Sequence, residues 1–342
     1  MPRELIAPAQ EQVAFRDYDS VPLEAGQIRV RSQFGAAKHG TEMALFKGYA
    51  GPRGAYDEEY QVFRAEQPGM VRFPTGLGNI CVGEVTEVGV GVTQFQVGER
   101  VFRHSTFRQE HVWPVDGVQK LPENVPWQAA VCLDPADFAL GAVRDGHVRI
   151  GDAVAVFGMG AIGLMALQLA KLAGAEPVIA VDPLPIRRDV ALECGADLVL
   201  DPTVVDAGLE IKKATEKRGA DVCIEYSGNH MGLQAAIRGV AYLGTVVAGA
   251  WPGTYPAGLD LGAEAHWNRP TIVFSRACSE PNPEYPTWDE NRLFDVCWRM
   301  LCDGRLRSEP VVQPLVDFDD LLTEYPKIAT HPGENVKLGV RF

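Results

Sequence analysis

Two places in this chain carry residue types at spacings that could do chemistry. The first is Gly158-Met159-Gly160-Ala161-Ile162-Gly163, a G-x-G-x-x-G run that follows the apolar stretch "DAVAVF" and opens the helical pattern "AIGLMALQLAKLAGA". In a strand-turn-helix setting each glycine has a task. Gly158 makes the tight turn, Gly160 lets the backbone approach a pyrophosphate, and Gly163 permits close helix–strand packing. The helix start at Ala161 and Ile162 then turns its partial positive charge toward the phosphates. Asp182 closes the next apolar run, 19 residues past Gly163. There a carboxylate accepts from the adenosine ribose hydroxyls and repels a 2′-phosphate, so NAD is expected over NADP. Arg187 and Arg188, just beyond, either hold such a phosphate or lie solvated on the second helix. The second place is His39, in "FGAAKHGTE" at the end of an apparent strand. An imidazole there could take or return a proton near neutral pH.

The elements that must position these groups change rhythm at about residue 150. Before it, short β-rich runs such as "QIRVRSQFG" and "CVGEVTEVGVGVTQFQVGERVF" alternate with Gly/Pro turns, the glycines falling where bulges or sharp bends are needed. After it, strands and helices alternate: "DAVAVFG", "PVIAVD", "ADLVLD", "ADVCIEYSG", "GTVVAGAW" and "PTIVFSR" read as six strands, with helical patterns such as "IRRDVALECGA", "EIKKATEKRG" and "HMGLQAAIRGVAYLG" between them. That pattern predicts a doubly wound parallel sheet. A Pro-rich loop after residue 276 leads to the amphipathic pattern "WDENRLFDVCWRMLCDG" and the end strand "VKLGVRF". The tail is assigned back to the first domain. The expected domains are therefore 1–134 with 277–342, and an inserted 135–276.

Composition narrows the function. A length of 342 residues suits two domains, and 46% hydrophobic residues suffice to bury two cores. The formal charge of −13, with no long basic run, argues against nucleic acid and anionic membrane surfaces. No apolar run approaches the length of a spanning helix. The seven cysteines are scattered without a Cys-x-x-Cys pair, which points to reduced thiols and a cytoplasmic location.

Taken together, "HGTE" at 39–42, "GEVTEVGVGVTQFQVGERV" at 83–101, "LDPADFALGAV" at 133–143, "VAVFGMGAIG" at 154–163 and "ADVCIEYSG" at 220–228 resemble the medium-chain dehydrogenase/reductase family, in its zinc alcohol and polyol dehydrogenase branch. The resemblance implies an α/β fold with a Rossmann unit inserted in a mostly-β, GroES-like catalytic domain, a place for Ser227 among the cofactor residues, and a homodimer or homotetramer. It also implies a zinc site, and here the sequence departs. The first zinc ligand, a cysteine in the family, falls on His39; the Gly-His-Glu motif falls on Gly78-Asn79-Ile80; the acidic third ligand falls on Asp134. Thr41 matches the hydroxyl residue that relays the substrate proton. Residues 101–131 hold no cysteine, so the structural zinc lobe is absent.

Three readings of His39 and Asp134 stay open. With His104 or Glu42 they could hold a metal. They could form a metal-free acid/base pair in which the carboxylate orients the ring and stabilises its charged form, with Thr41 bridging substrate and base. They could be packed polar groups only. The metal-free pair is the reading adopted, with no metal ligand assigned. His104 and Asn79 are expected in the substrate pocket, Glu110 and His111 at its rim or on the surface, and His266 with Trp267 near a subunit contact. A pocket of His39, Thr41, Asn79, His104 and Asp134 suits a small hydroxyl-rich molecule. The resulting expectation is an NAD-dependent dehydrogenase of a secondary alcohol in a polyol, sugar or cyclitol. The alternatives are a zinc-dependent polyol dehydrogenase, an NADPH-dependent alkene or quinone reductase, and a dinucleotide sensor without turnover.

Overall fold

Two long strands, Gln27–Ala36 and the Val-rich Ile80–Val88, pair antiparallel at the centre of a seven-stranded sheet. The computed structural model describes residues 1–47, 55–64, 73–252, 255, 258–276 and 283–342. The chain divides into two units, Met1–Val131 with Val312–Phe342, and Cys132–Val311.

In the first unit, Arg100–His104 flanks the central pair on one side and the C-terminal strand Gly339–Arg341 on the other, while Glu110–Pro114 also pairs with Gln27–Ala36. The register shifts between Ser32 and Phe34, opposite Gly83. A Cβ on Gly83 would lie 2.3 Å from the Arg31 carbonyl oxygen, so the bulge read from the sequence requires glycine there. Leu5, Ile28, Val30, Val85, Val101, Phe107, Tyr325 and Leu338 form the core. The last of these comes from the chain's end, so this core closes only when the terminal strand is added.

In the second unit six strands run parallel in the order Leu198–Leu200, Val178–Val181, Val154–Phe157, Ala220–Glu225, Val240–Ala248, Thr271–Phe274. Val154–Phe157 and Val178–Val181 are buried at every position, as strands covered on both faces must be. The strand order reverses between Val154–Phe157 and Ala220–Glu225, where a doubly wound sheet leaves its crevice.

Two sequence expectations change, and one element is added. The second unit runs on to Val311 instead of ending at 276. Its last stretch is tied down by Arg144, which pairs with Glu284 and sits 3.4 Å from the Trp288 ring centroid, and by Gln168, which exchanges hydrogen bonds with the Arg307 backbone at 3.1 and 2.7 Å. The pattern "HMGLQAAIRGVAYLG" is helical only over His230–Gly239, because Val240 turns extended and opens a sheet strand. Asp134-Pro135 lies inside a 19-residue helix, Trp127–Asp145, where no element was read from the sequence.

Candidate functional site

The second unit builds a dinucleotide loop from contiguous residues. Gly158 has φ +87°, and a Cβ on it would lie 2.6 Å from the Ser227 nitrogen. A Cβ on Gly163 would lie 1.9 Å from the Gly158 carbonyl oxygen. Both positions demand glycine. Gly160 differs: it caps the helix Ala161–Leu172 without a side-chain bond to the first turn, and a Cβ there meets nothing within 4 Å. The open space lies where helix N–H groups of Ala161, Ile162 and the turn above them lack intrahelical partners.

Asp182 braces this loop. It is 2% exposed; Oδ2 accepts from the Met159 amide at 2.7 Å and Oδ1 from the Leu184 amide at 2.8 Å. Each oxygen retains a lone pair for a hydroxyl. Arg187 places Nη1 3.7 Å from Asp182 Oδ2, and Arg188 bonds the Asp182 carbonyl at 2.8 Å and Asp201 at 3.0 Å. With side chains 20% and 17% exposed, neither arginine is the solvated group of the bland sequence reading.

Ser227 is held by a carboxylate the sequence reading passed over. Glu225, 1% exposed, accepts from the Ser227 amide at 2.6 Å, the Ser227 hydroxyl and the Gly228 amide at 3.1 Å. Burial pushes its carboxyl upward, and these donors pull the other way. The signal was present: an acid ends the otherwise apolar run "ADVCIE", and a buried carboxylate needs donors.

The first unit assembles its polar groups at one end of the sheet. Ala36 pairs with Ile80 and Ile80 with His104, which brings the segments after residue 36, before residue 80 and after residue 104 side by side. Asn79 sits between them, its amide bonded to the Ala36 carbonyl at 3.3 Å and its carbonyl accepting from Ser105 at 2.9 Å. Its side-chain Nδ2 is buried with no hydrogen-bond partner among the described residues. His104 is exposed at the strand end, and Thr41 is exposed in the first turn of the helix His39–Phe46.

His39 opens that helix, partly buried, and its Nε2 accepts from the Leu338 amide at 2.9 Å. The bond assigns the proton of the neutral ring to Nδ1. A proton on Nε2 would set two donors against each other and leave the Leu338 N–H without this acceptor. Glu42 has both carboxylate oxygens occupied: Oε1 takes the Lys38 amide, and Oε2 takes the Gly78 amide at 2.8 Å and the Tyr325 hydroxyl at 2.6 Å. Asp134 belongs to the second unit, partly buried on the helix Trp127–Asp145. His111 is not at a rim. It is 3% exposed, its Nδ1 lies 3.2 Å from the Ser105 hydroxyl, and its ring stacks on Trp113 at 4.8 Å. Burial, aided by the Arg108 charge, pushes its pKa down to about 3.

Known proteins resemble this chain along its length. The profile of a family described as zinc-binding dehydrogenase matches residues 161–289. D-guloside 3-dehydrogenase of Escherichia coli is 42% identical, the match covering 99% of this chain and 100% of that protein. (R,R)-butanediol dehydrogenase of Bacillus subtilis is 29% identical over 73% of this chain and 76% of its own. The crystal structure of 2R,3R-butanediol dehydrogenase from Bacillus subtilis superposes with a TM-score of 0.77 at 22% identity, covering all of both chains. The chain belongs to the medium-chain dehydrogenase/reductase family of zinc-binding dehydrogenases and is an oxidoreductase of its alcohol and polyol branch.

The family name implies zinc. Catalytic zinc takes three Cys, His or carboxylate ligands. Among the described residues no three His, Cys, Asp or Glu side chains gather in a way that could hold a metal ion. At the expected ligand positions of the first unit, Asn79 offers a neutral amide and His39 has Nε2 occupied. Among the described residues no helix is long and apolar enough to cross a membrane.

Proposed function

We propose that this chain interconverts a secondary alcohol and its ketone on a hydroxyl-rich sugar or polyol, with NAD as hydride partner and without a catalytic metal. The observation that carries the reading is the match to D-guloside 3-dehydrogenase along 99% of the chain. A hexopyranoside that reacts at its ring 3-hydroxyl is the substrate expected on that ground. The nicotinamide, when bound, takes hydride from the carbinol carbon or returns it to the carbonyl carbon.

The chain's own residues supply the rest. Gly158, Gly160 and the first turn from Ala161 to Gly163 suit the pyrophosphate, and the Glu225-fixed turn at Ser227 packs against Gly158. Asp182 keeps lone pairs for the ribose hydroxyls, and its charge opposes a 2′-phosphate; Arg187 beside it softens that opposition. Neutral His39 acts as a donor through Nδ1–H, stabilising negative charge as it develops on the substrate oxygen, in the way a neutral imidazole polarises a carbonyl. Asn79 Nδ2, buried without a hydrogen-bond partner among the described residues, is the second donor, and a ligand oxygen would satisfy it. In oxidation the hydroxyl proton passes to exposed Thr41 and on to water. His104, exposed at its strand end, contacts the substrate ring.

The test is a panel of methyl hexopyranosides, sorbitol, butanediol and an activated enone, each with NAD and NADP, after dialysis against a chelator. Reduction of NAD by a hexoside, unaffected by the chelator, supports the reading. Activity restored only by added zinc removes the metal-free mechanism. Enone reduction with NADPH alone removes the substrate class, and tight NAD binding without any turnover makes the chain a sensor.

We also propose a homodimer or homotetramer formed through the edge strand Thr271–Phe274. Phe274 is 84% exposed there and Trp267, just before it, 77%. Among the described residues no strand pairs with the outer edge of Thr271–Phe274, and such an apolar edge is a template for a second strand. Phe274→Asp should convert the assembly to monomer in light scattering; an unchanged mass places the contact elsewhere.

A further inference from the structure

We propose that Glu42 and Tyr325 are positioning residues that hold His39 and Asn79 in a fixed mutual arrangement; the inference deepens the reading above and rests on it. The two donors come from segments about forty positions apart, and a hydrogen-bond donor pair works only if both point at the same oxygen. Glu42 reaches both segments. It accepts from the backbone amide of Lys38, the residue before His39, and from the amide of Gly78, the residue before Asn79.

The clamp is anchored on every side. Gly78 has φ +111°, and a Cβ on it would lie 2.6 Å from the Phe107 nitrogen, so this backbone has one way to pass. Tyr325, fully buried on the helix Leu321–Thr330, gives its hydroxyl to Glu42 and its ring edge to Phe46 at 5.8 Å. Lys337, 2% exposed, donates to the Ala37 carbonyl at 2.8 Å, and its neighbour Leu338 donates to His39. Residues 37–42, 78–79, 325 and 337–338 are thereby bound into one network around the imidazole.

Such a network is an expensive way to gain stability. A carboxylate 4% exposed loses its hydration, and apolar side chains of similar volume commonly replace buried ionic groups at no loss. What an apolar group cannot do is accept two specified amides and a phenol at once. Geometry, and not cohesion, is the service Glu42 renders.

Glu42→Gln keeps the shape but presents an amide NH2 to at least one of the three donors. Tyr325→Phe removes a single donor and leaves the carboxylate, and serves as the second variant if the first folds poorly. The direct readout is the 15N spectrum of histidine-labelled protein, in which His39 is assigned by the signal lost in His39→Ala. In the wild type its Nε2 should carry the signature of an unprotonated acceptor and its Nδ1 that of an N–H. Glu42→Gln should change both signals while leaving buried His111 unaltered. Unchanged His39 signals overturn the proposal, whatever the substrate proves to be. With methyl D-guloside and NAD, kcat should fall about 10–100-fold, the range typical of groups that orient a functional side chain, with KM for NAD unchanged. Added to His39→Ala, the substitution should cost nothing further. A full, independent loss in that background, or kcat and NAD affinity falling together with the melting temperature, marks Glu42 as merely structural. If His39→Ala alone keeps its rate, the proposed mechanism fails while the spectrum still decides the positioning.

Discussion

The two polar centres of this chain are built by opposite means. The dinucleotide loop is one continuous run, Gly158–Gly163, braced by Asp182 two dozen residues on and by the turn at Ser227. Its shape follows from places where a side chain cannot exist. The centre around His39 draws on residues near 37–42, 79, 105, 325 and 338, and its shape follows from hydrogen bonds that those segments exchange. Sterics in the first case and electrostatics in the second therefore decide what a substitution does.

The sharpest break of the first centre is Gly163→Ala. Its Cβ would lie 1.9 Å from the Gly158 carbonyl oxygen, a backbone atom with nowhere to go. Unfolding in urea should show a loss of about 3 kcal/mol, the upper end of overpacking costs, and NADH titration should show no binding. A variant that binds NADH normally would mean the helix start can shift, and the steric account would be lost. The corresponding cut in the second centre, His39→Ala, should leave NADH binding intact and lower kcat about 10²–10³-fold, the value of one well-placed donor to a developing oxyanion. A kcat that falls together with NADH affinity would tie the centres in a way this comparison denies.

The same contrast explains how much the sequence disclosed. The glycine motif, Asp182 and the six parallel strands were legible because each is written in adjacent residues whose period and spacing have a direct geometric reading. Asn79 and His39 were locatable only as positions in a resemblance, and their partners were invisible. Nothing near His39 in sequence announces Leu338, and Tyr325 lies 283 positions from the carboxylate it bonds. Glu42 read as a spare metal ligand because an acid two residues past "HG" gives no hint that both its oxygens are occupied. His111 was misplaced for a related reason: a histidine flanked by Glu110 and Val112 looks like a strand edge until Trp113 is seen to stack on it.

His111 offers a smaller test, outside both centres. Its pKa lies at about 3 in the folded chain, against an ordinary 6.5 once unfolding exposes it. Between those values the unfolded chain binds a proton that the folded chain refuses, so stability falls as pH drops below 6.5 and continues to fall toward 3. The slope from this residue is about 1.4 kcal/mol per pH unit in the middle of that window. Urea unfolding at pH 7, 6, 5 and 4 should show His111→Leu with a shallower decline by one proton. An unchanged slope would mean that the imidazole reaches solvent, or is charged, in the folded state.

The finest distinction lies between two glycines three residues apart. Gly163 is required by the protein's own atoms, whereas Gly160 has φ −74° and nothing within 4 Å of a Cβ. An alanine fits that backbone, and by narrowing the unfolded ensemble Gly160→Ala should stabilise the chain by about 0.4–1 kcal/mol. If the space in front of Gly160 receives a pyrophosphate, the same methyl group occupies it, and NADH affinity should fall while stability rises. Opposite signs in one variant separate a glycine kept for a ligand from a glycine kept for the fold. Should affinity stay constant as stability rises, the phosphates lie elsewhere along the loop, and Gly158, pressed against Ser227, becomes the residue that fixes their approach.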